Sequence, residues 1–255
     1  MIRSLNAMEG YTLQALGGDI GRCSDFLFDD GQWTVRYMVA DTGHWLPGRK
    51  ILVAPTFLET AEWDSRRFPV RLTRSQIENG PPLDRDAAVS RRYERAYHEF
   101  FDTAYYGMGS ELWGNGPWPG MTGPREGRKT PAAVPEPHLE ATQVRSVREV
   151  TGYRVAAEDG EVAGHVEDYL VDDTTWALRY LVIDRSRLPF SRKVLLAVEW
   201  VDDVDLVERS LRVGVGASRL AEGPEYDPSE PVNEAKETVL YDYYGRPRGR
   251  AVQHL

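Results

Sequence analysis

The first 75 residues alternate between hydrophobic and polar positions in short segments separated by glycine- and aspartate-rich turns. Such alternation is typical of half-buried strands. The predicted strands are Tyr11–Leu16, Ile20–Phe28, Trp33–Ala40 and Lys50–Val53, followed by a hairpin that joins 58–63 to 68–72. Thr73 then opens a short helix, with Gln76 in the position of a capping box. This pattern predicts a small antiparallel β-barrel.

The spacing of the hydrophobic residues changes after the predicted barrel. Between Ser90 and Tyr106, aromatic and small residues recur with helical spacing, at Tyr93, Ala96, Tyr97, Phe100, Phe101 and Ala104. This spacing predicts an amphipathic helix with an aromatic stripe. We expect the stripe to pack as core against the barrel; the alternative is that it lines a ligand site.

The same arrangement of residues occurs twice. The segment Trp33–Pro55 has a counterpart at Trp176–Val198, and the offset is constant: 184 less 41 is 143, and 193 less 50 is 143. A constant offset through turns and strands indicates an internal duplication. Val232–Tyr244 predicts a second helix, and both helices are expected to end at Tyr-Tyr-Gly, at Gly107 and Gly245.

A segment rich in glycine and proline lies between the two copies, from Gly107 to Pro137. No periodic element fits that density, so a linker is predicted. We expect its tryptophans, Trp113 and Trp118, to fold back over an apolar surface. The predicted organisation is copy 1 with its helix at 1–107, the linker at 108–147, and copy 2 with its helix at 148–255.

The motif of the first copy resembles that of the PRC-barrel domain. Its residues are Gly21, Asp25, Asp29, Asp30, Trp33, Arg36, Tyr37, Asp41, Gly48, Arg49 and Lys50. The resemblance covers about 8–107 and 148–247, and the ending PVNEAKETVLYDYYGRP is similar to the tail of bacterial two-copy PRC-barrel proteins. It implies a mainly β fold of two tandem small antiparallel barrels, each followed by a C-terminal helix.

The family includes the cytoplasmic part of the photosynthetic reaction centre H subunit and the C-terminal domain of the ribosome maturation factor RimM. The resemblance implies a docking barrel rather than a catalyst. The second copy departs from the motif in one loop, because Arg187–Ser191 stand where the first copy has His44–Gly48. If this is a docking loop, the two copies do not share a ligand.

Composition narrows the function classes. The formal charge of −9 argues against general nucleic-acid binding, which needs clustered lysine and arginine. No run of 18 apolar residues and no signal-peptide core are present, so neither membrane insertion nor export is expected. The one cysteine fits a reducing compartment, and we expect a cytoplasmic protein.

The sequence contains few candidate catalytic or metal-binding residues. Its five histidines are scattered, and none pairs with another at metal-ligand spacing, so no metal or cofactor is predicted. Cys23 could act as a nucleophile, but its counterpart is Val166, which favours a small apolar core position. No convergent acid, base and nucleophile are recognisable, so an enzyme is not predicted.

Two groups of residues remain as candidate sites. The loop His44, Trp45, Leu46 and Pro47 is the candidate contact surface, because tryptophan is a frequent interface anchor; alternatively Trp45 caps its own barrel or packs beside the linker tryptophans. The charged positions present in both copies are Asp25, Arg36, Asp41, Arg49 and Lys50, with Asp168, Arg179, Asp184, Arg192 and Lys193. These charges could hold strands together or bind an anionic peptide end.

The sequence therefore predicts a non-enzymatic protein-binding or assembly module, with an unidentified protein partner or self-association as a homodimer. Two alternatives rest on fold analogy alone. One is a ribosome- or RNA-associated factor like RimM, and the other is a docking protein of a photosynthetic or electron-transport complex like the H subunit. Salt-dependent retention on RNA would distinguish the RNA-associated alternative.

Overall fold

Two curled, barrel-like sheets and a few short helices make up the fold, which is mainly β as predicted. The computed structural model describes residues 1–43, 45–47, 49–84, 87–103, 105, 113, 118–119, 144–185 and 192–247. The chain divides into two units. The N-terminal unit is Met8–Val144, and the C-terminal unit is Arg145–Leu255 together with Met1–Ala7.

The strands and helices have the following bounds. The strands are β1 (Ile2–Ser4), β2 (Thr12–Leu16), β3 (Gly18–Asp29), β4 (Thr34–Asp41), β5 (Ile51–Val53), β6 (Arg67–Thr73), β7 (Val144–Ser146), β8 (Arg154–Ala156), β9 (Val162–Asp172), β10 (Leu178–Asp184), β11 (Lys193–Ala197), β12 (Val201–Asp205) and β13 (Ser210–Val213). The helices are α1 (Leu5–Met8), α2 (Arg74–Asn79), α3 (Arg91–Phe100), α4 (Val147–Val150), α5 (Ala217–Ala221) and α6 (Glu234–Tyr244).

Each sheet contains one parallel pair in addition to the predicted antiparallel pairs. The N-terminal sheet has the order β5-β4-β3-β2-β6, with β7 on β3, and its parallel pair is β2–β6. The C-terminal sheet has the order β11-β10-β9-β8-β13-β12, with β1 on β9, and its parallel pair is β8–β13. The parallel pair joins strands far apart in sequence, which alternation along one strand cannot reveal.

Each unit has a glycine at the same place in its long strand, where backbone passes very close. A Cβ on Gly21 would lie 2.2 Å from the carbonyl oxygen of Asp41, and one on Gly164 would lie 2.6 Å from that of Asp184. Both glycines also have positive φ, at 136° and 152°. Only glycine avoids both the clash and the backbone strain at these positions.

The first C-terminal helix is shorter than predicted. α3 ends at Phe100 rather than near Tyr106, because Asp102 takes a left-handed φ of 50° and turns the chain. The predicted stop at Gly107 lies outside the described residues. The second helix does end at its glycine, since Gly245 is the C-cap of α6 with a φ of 63°.

The buried face of α3 also differs from the predicted stripe. Tyr97 is buried among β4 and β5 residues, and Tyr93 and Phe101 pack beside it, as expected of a core helix. Phe100 and Ala96, however, are exposed, while Glu94 and His98 are buried. The helix face turned towards the sheet therefore includes two polar side chains, which a count of apolar positions does not select.

The N-terminal residues belong to the C-terminal unit. β1 pairs antiparallel with β9 through Ile2–Asp172, Arg3–Val171 and Ser4–Leu170. The predicted boundaries at 107 and 148 place these residues in copy 1 instead. Most of the predicted linker, 108–147, lies outside the described residues, but Trp113 is described and buried.

Candidate functional site

The candidate contact loop is only partly described. His44 lies outside the described residues, Trp45 and Leu46 are half-buried, and Pro47 is exposed. The guanidinium of Arg74 lies over the Trp45 ring, 4.5 Å from its centroid. Trp45 is thus covered in part by its own unit. Its function as a contact surface stays a prediction, and the counterpart loop at 187–191 lies outside the described residues.

Replacing Trp45 with alanine is expected to lower the free energy of unfolding by no more than about 1 kcal/mol, because a half-buried ring under one arginine contributes modestly. Urea denaturation would measure this, with Leu16→Ala, which removes an exposed apolar side chain of the same unit, as control. If Trp45 anchors a partner, the variant also loses self-association or partner retention. A loss of about 3 kcal/mol or more would instead place Trp45 in the core.

Several of the charged positions present in both copies bind nearby backbone. Arg49 donates to the carbonyl of Gly80 at 3.0 Å, and Arg192 donates to that of Gly223 at 2.8 Å. Asp25 accepts from the amide of Phe26 at 2.8 Å, and Asp168 accepts from the amide of Tyr169 at 2.7 Å. These bonds are consistent with the structural interpretation.

The remaining charged positions do not come together as one site. Asp41 and Asp184 end β4 and β10, and Asp41 accepts from the amide of Gly43 at 3.0 Å. Lys50 donates to the carbonyl of Ala87, whereas Lys193 pairs with Glu167 at 2.6 Å. The two lysines therefore have different partners. Arg36 and Arg179 also differ, in burial and in partners.

A buried polar cluster links α3 to β4 in the N-terminal unit. The hydroxyl of Tyr37 lies 3.4 Å from Glu94 Oε1 and 3.2 Å from His98 Nε2, and His98 Nδ1 lies 2.8 Å from the hydroxyl of Thr103. Burial, with the nearby Arg36 charge, lowers the pKa of His98 to about 4. His98 is therefore neutral at pH 7 and serves as a hydrogen-bonding group.

The C-terminal unit has a matching tyrosine–glutamate pair. The hydroxyl of Tyr180 on β10 donates to Glu237 Oε1 of α6 at 2.6 Å. Both members are offset by 143 from Tyr37 and Glu94, and so are the two helix N-caps, Ser90 and Asn233. Sequence reasoning missed this pair because it aligned the helices on their Tyr-Tyr-Gly endings, whereas the constant offset would have found it.

An extended segment lies along the edge of β9 in the C-terminal unit. Beyond its pairing with β9, the segment is fixed by side chains: Ser4 Oγ donates to Asp168 Oδ2 at 2.5 Å, and the Asn6 amide donates to Asp168 Oδ1 at 3.1 Å. The Asn6 side chain donates to the carbonyl of Glu167 at 2.9 Å, and Arg3 reaches Asp173 at 3.3 Å.

Asp168 is the main anchor of this segment. Burial raises its pKa, while the three hydrogen bonds it accepts act in the opposite direction. A carboxylate taken partly out of water needs such donors. Leu5, which follows Ser4, is fully buried and adds an apolar anchor.

One pocket lies between β5, α2 and α3 and is lined by Arg49, Lys50, Tyr93, Tyr97 and Phe101, among others. Its cavity volume is about 10 Å³, which leaves room for roughly one water molecule. Within the described ranges, no three histidine, cysteine, aspartate or glutamate side chains group as metal ligands would, and Cys23 is buried.

One part of the chain matches a known domain family. Residues 143–220 match the family model of the PRC-barrel domain. The C-terminal unit, a curled sheet of short strands, therefore contains a PRC-barrel domain. No curated protein matches the chain. None of the described helices has the length and apolarity required to cross a membrane.

Proposed function

We propose that this chain is a non-enzymatic protein-binding or assembly module built from two PRC-barrels. The observation that carries the proposal is the segment 1–7 seated on β9, where the stretch of β9 beyond its pairing with β8 holds an extended segment by strand pairing and by side-chain anchors. Strand addition is a general mode of peptide recognition, in which backbone bonds supply affinity and side chains supply specificity.

The second barrel in this proposal is the N-terminal unit. Its support is the order shared by five strands of each sheet, the parallel pair β2–β6 or β8–β13 within that order, and the close glycine at Gly21 and Gly164. Trp33 and Trp176, which precede β4 and β10, also share a left-handed φ, at 48° and 59°. A tryptophan rarely takes this conformation, so its presence in both units supports a common origin.

The polar groups of the N-terminal unit support a binding role over catalysis. The Tyr37 hydroxyl is within hydrogen-bonding distance of both Glu94 and His98, but all three side chains are at most 5% exposed. A catalytic acid or base must reach its substrate. This cluster joins a helix to a sheet instead.

The proposal is tested by supplying the docked segment in trans. A chain that starts at Met8 is expected to bind the peptide MIRSLNA saturably, measured by calorimetry. The peptide with Ser4→Ala, or the chain with Asp168→Ala, should bind at least about tenfold more weakly, because a hydrogen bond to a charged group contributes roughly 1.5–3 kcal/mol. The control chain variant is Asp203→Ala, which removes an exposed carboxylate of β12 in the same unit.

Two outcomes contradict the proposal. If the shortened chain folds only when the peptide is added, segment 1–7 is an integral part of the sheet and not a docked ligand. A folded chain that does not bind the peptide also contradicts the proposal, because the edge of β9 would then take no strand in trans.

A further inference from the structure

An arginine of the N-terminal unit is covered by a tryptophan from far along the chain. Arg36 on β4 is 1% exposed, and its guanidinium carbon lies 5.1 Å from the centroid of the Trp113 ring. Trp113 is itself 8% exposed. A guanidinium over an indole ring is attractive, and more so when water is excluded. Trp113 thus acts as a cover supplied by the same chain.

Arg36 has further partners under this cover. Asp29 lies 3.8 Å from its guanidinium, and the side chain of Gln32 accepts a hydrogen bond from it. A buried cation is stable only when it is paired in this way. The tryptophan therefore covers a cation that also has one acidic and one amide partner.

Among the residues that the structure describes, no aromatic ring covers the corresponding arginine of the C-terminal unit. Arg179 follows Trp176 by three residues and precedes Tyr180, as Arg36 follows Trp33 and precedes Tyr37. Arg179 is only half-buried, and within the described part of the chain it makes no hydrogen bond, ion pair or ring contact. It lies close enough to the hydroxyls of Tyr180 and Tyr241 to act on both electrostatically.

We propose that the Arg179 face of β10 binds a tryptophan-bearing segment of a partner protein, as the Arg36 face binds Trp113 within the chain. This inference rests on the proposed binding function and specifies the chemistry of one partner. The ligand presents an indole to the guanidinium of Arg179, in the way that Trp113 faces the guanidinium of Arg36.

The tether explains why only one of the two faces is free. Trp113 follows the end of α3 by 13 residues, 113 less 100. A short tether gives an effective concentration on the order of millimolar. A free peptide at micromolar concentration therefore leaves the Arg36 face to Trp113 and binds at Arg179.

The test uses the peptide GSELWGNG, residues 109–116, which contains Trp113 as its one tryptophan, with a fluorescent label for anisotropy and without one for calorimetry. The intact chain is expected to bind one peptide. Arg179→Ala should weaken binding at least about tenfold, the size expected for a desolvated cation–π contact. A peptide with Trp113→Ala should bind the intact chain no more tightly than the original peptide binds the Arg179→Ala chain. The matched control is Arg212→Ala, which removes an exposed arginine of the same unit.

A second variant makes the test independent of Arg179. Replacing Trp113 with alanine in the chain uncovers the Arg36 face, so the number of peptides bound should rise from one to two. Unchanged binding to the Arg179→Ala chain, or no saturable binding up to about 1 mM, overturns the proposal. So does an intact chain that dimerises through Arg179, since the occupant would then be a second copy. If the tryptophan peptide fails to bind at Arg179, the proposed binding function is still tested separately by the titration with MIRSLNA.

Discussion

Replacing Gly164 with alanine is expected to unfold the C-terminal unit or to destabilise it by more than about 4 kcal/mol. The new Cβ would lie 2.6 Å from the carbonyl oxygen of Asp184 and 2.8 Å from Cγ2 of Ile183, on a residue with a φ of 152°. The backbone of two paired strands would have to separate, and positive φ adds strain of about 1–3 kcal/mol. Urea denaturation of the full chain measures the effect.

Gly160→Ala is the matched control in the same unit. Gly160 also has positive φ, at 82°, but no atom lies within 4 Å of its added Cβ. It should therefore cost only about 1 kcal/mol, for backbone strain alone. If both variants lose the same stability, the close approach of β9 and β10 is not what requires glycine at 164.

Lowering the pH from 6.5 to 4 is expected to destabilise the N-terminal unit through His98. Burial, followed by the Arg36 charge, lowers the pKa of His98 from its usual 6.5 to about 4. The unfolded state then binds more protons between these values, so stability is complete above pH 6.5 and falls as the pH falls through that window. One pKa unit corresponds to 1.36 kcal/mol, so the loss reaches up to about 3 kcal/mol.

The His98→Gln variant separates this effect from the titration of carboxylates, which also occurs in that range. Glutamine can hydrogen-bond to Tyr37 but takes up no proton, so its stability should change less with pH. The measurement is the free energy of unfolding at several pH values for both chains. Parallel curves would show that His98 is already protonated, or accessible to water, in the folded state.

The sequence predicted the mainly β class and most strands of the first copy, because alternation and glycine turns report local exposure. The predicted strand at 58–63 is wrong, since only isolated bridges occur there, at Leu58 and Glu62. It also placed Cys23 in the core correctly, from the single observation that Val166 stands at the same position of the other copy. These predictions depend on neighbours along the chain or on the constant offset. Neither local neighbours nor the offset requires knowledge of which strands pair.

The seating of the N-terminal residues on β9 was not predicted. A signal was present, since Ile2-Arg3-Ser4 and Val144-Arg145-Ser146 are similar and precede the two copies at nearly the same distance. A segment of three residues is too short for periodicity to identify it as a strand. Its partner strand lies more than 150 residues away, and no local rule supplies that pairing.

The buried polar cluster was missed for a different reason. Glu94 and His98 are polar residues on a helix, and such residues usually face solvent. Their burial depends on Tyr37, which supplies hydrogen bonds from a strand of the same unit. Likewise, Trp113 was expected over an apolar surface, but the structure places it over the cation Arg36.

If β9 is a docking site, β1 is a docked segment rather than an integral part of the sheet. Native-state hydrogen exchange of the intact chain tests this directly, because it measures the free energy of opening for each region. The backbone amides of β1 are expected to exchange through a local opening well below the free energy of global unfolding. Asp168→Ala should raise their exchange rate further and leave the amides that pair β9 with β10 unchanged. If the β1 amides exchange only by global unfolding in the wild-type chain, the segment is not a docked ligand and the claim is contradicted.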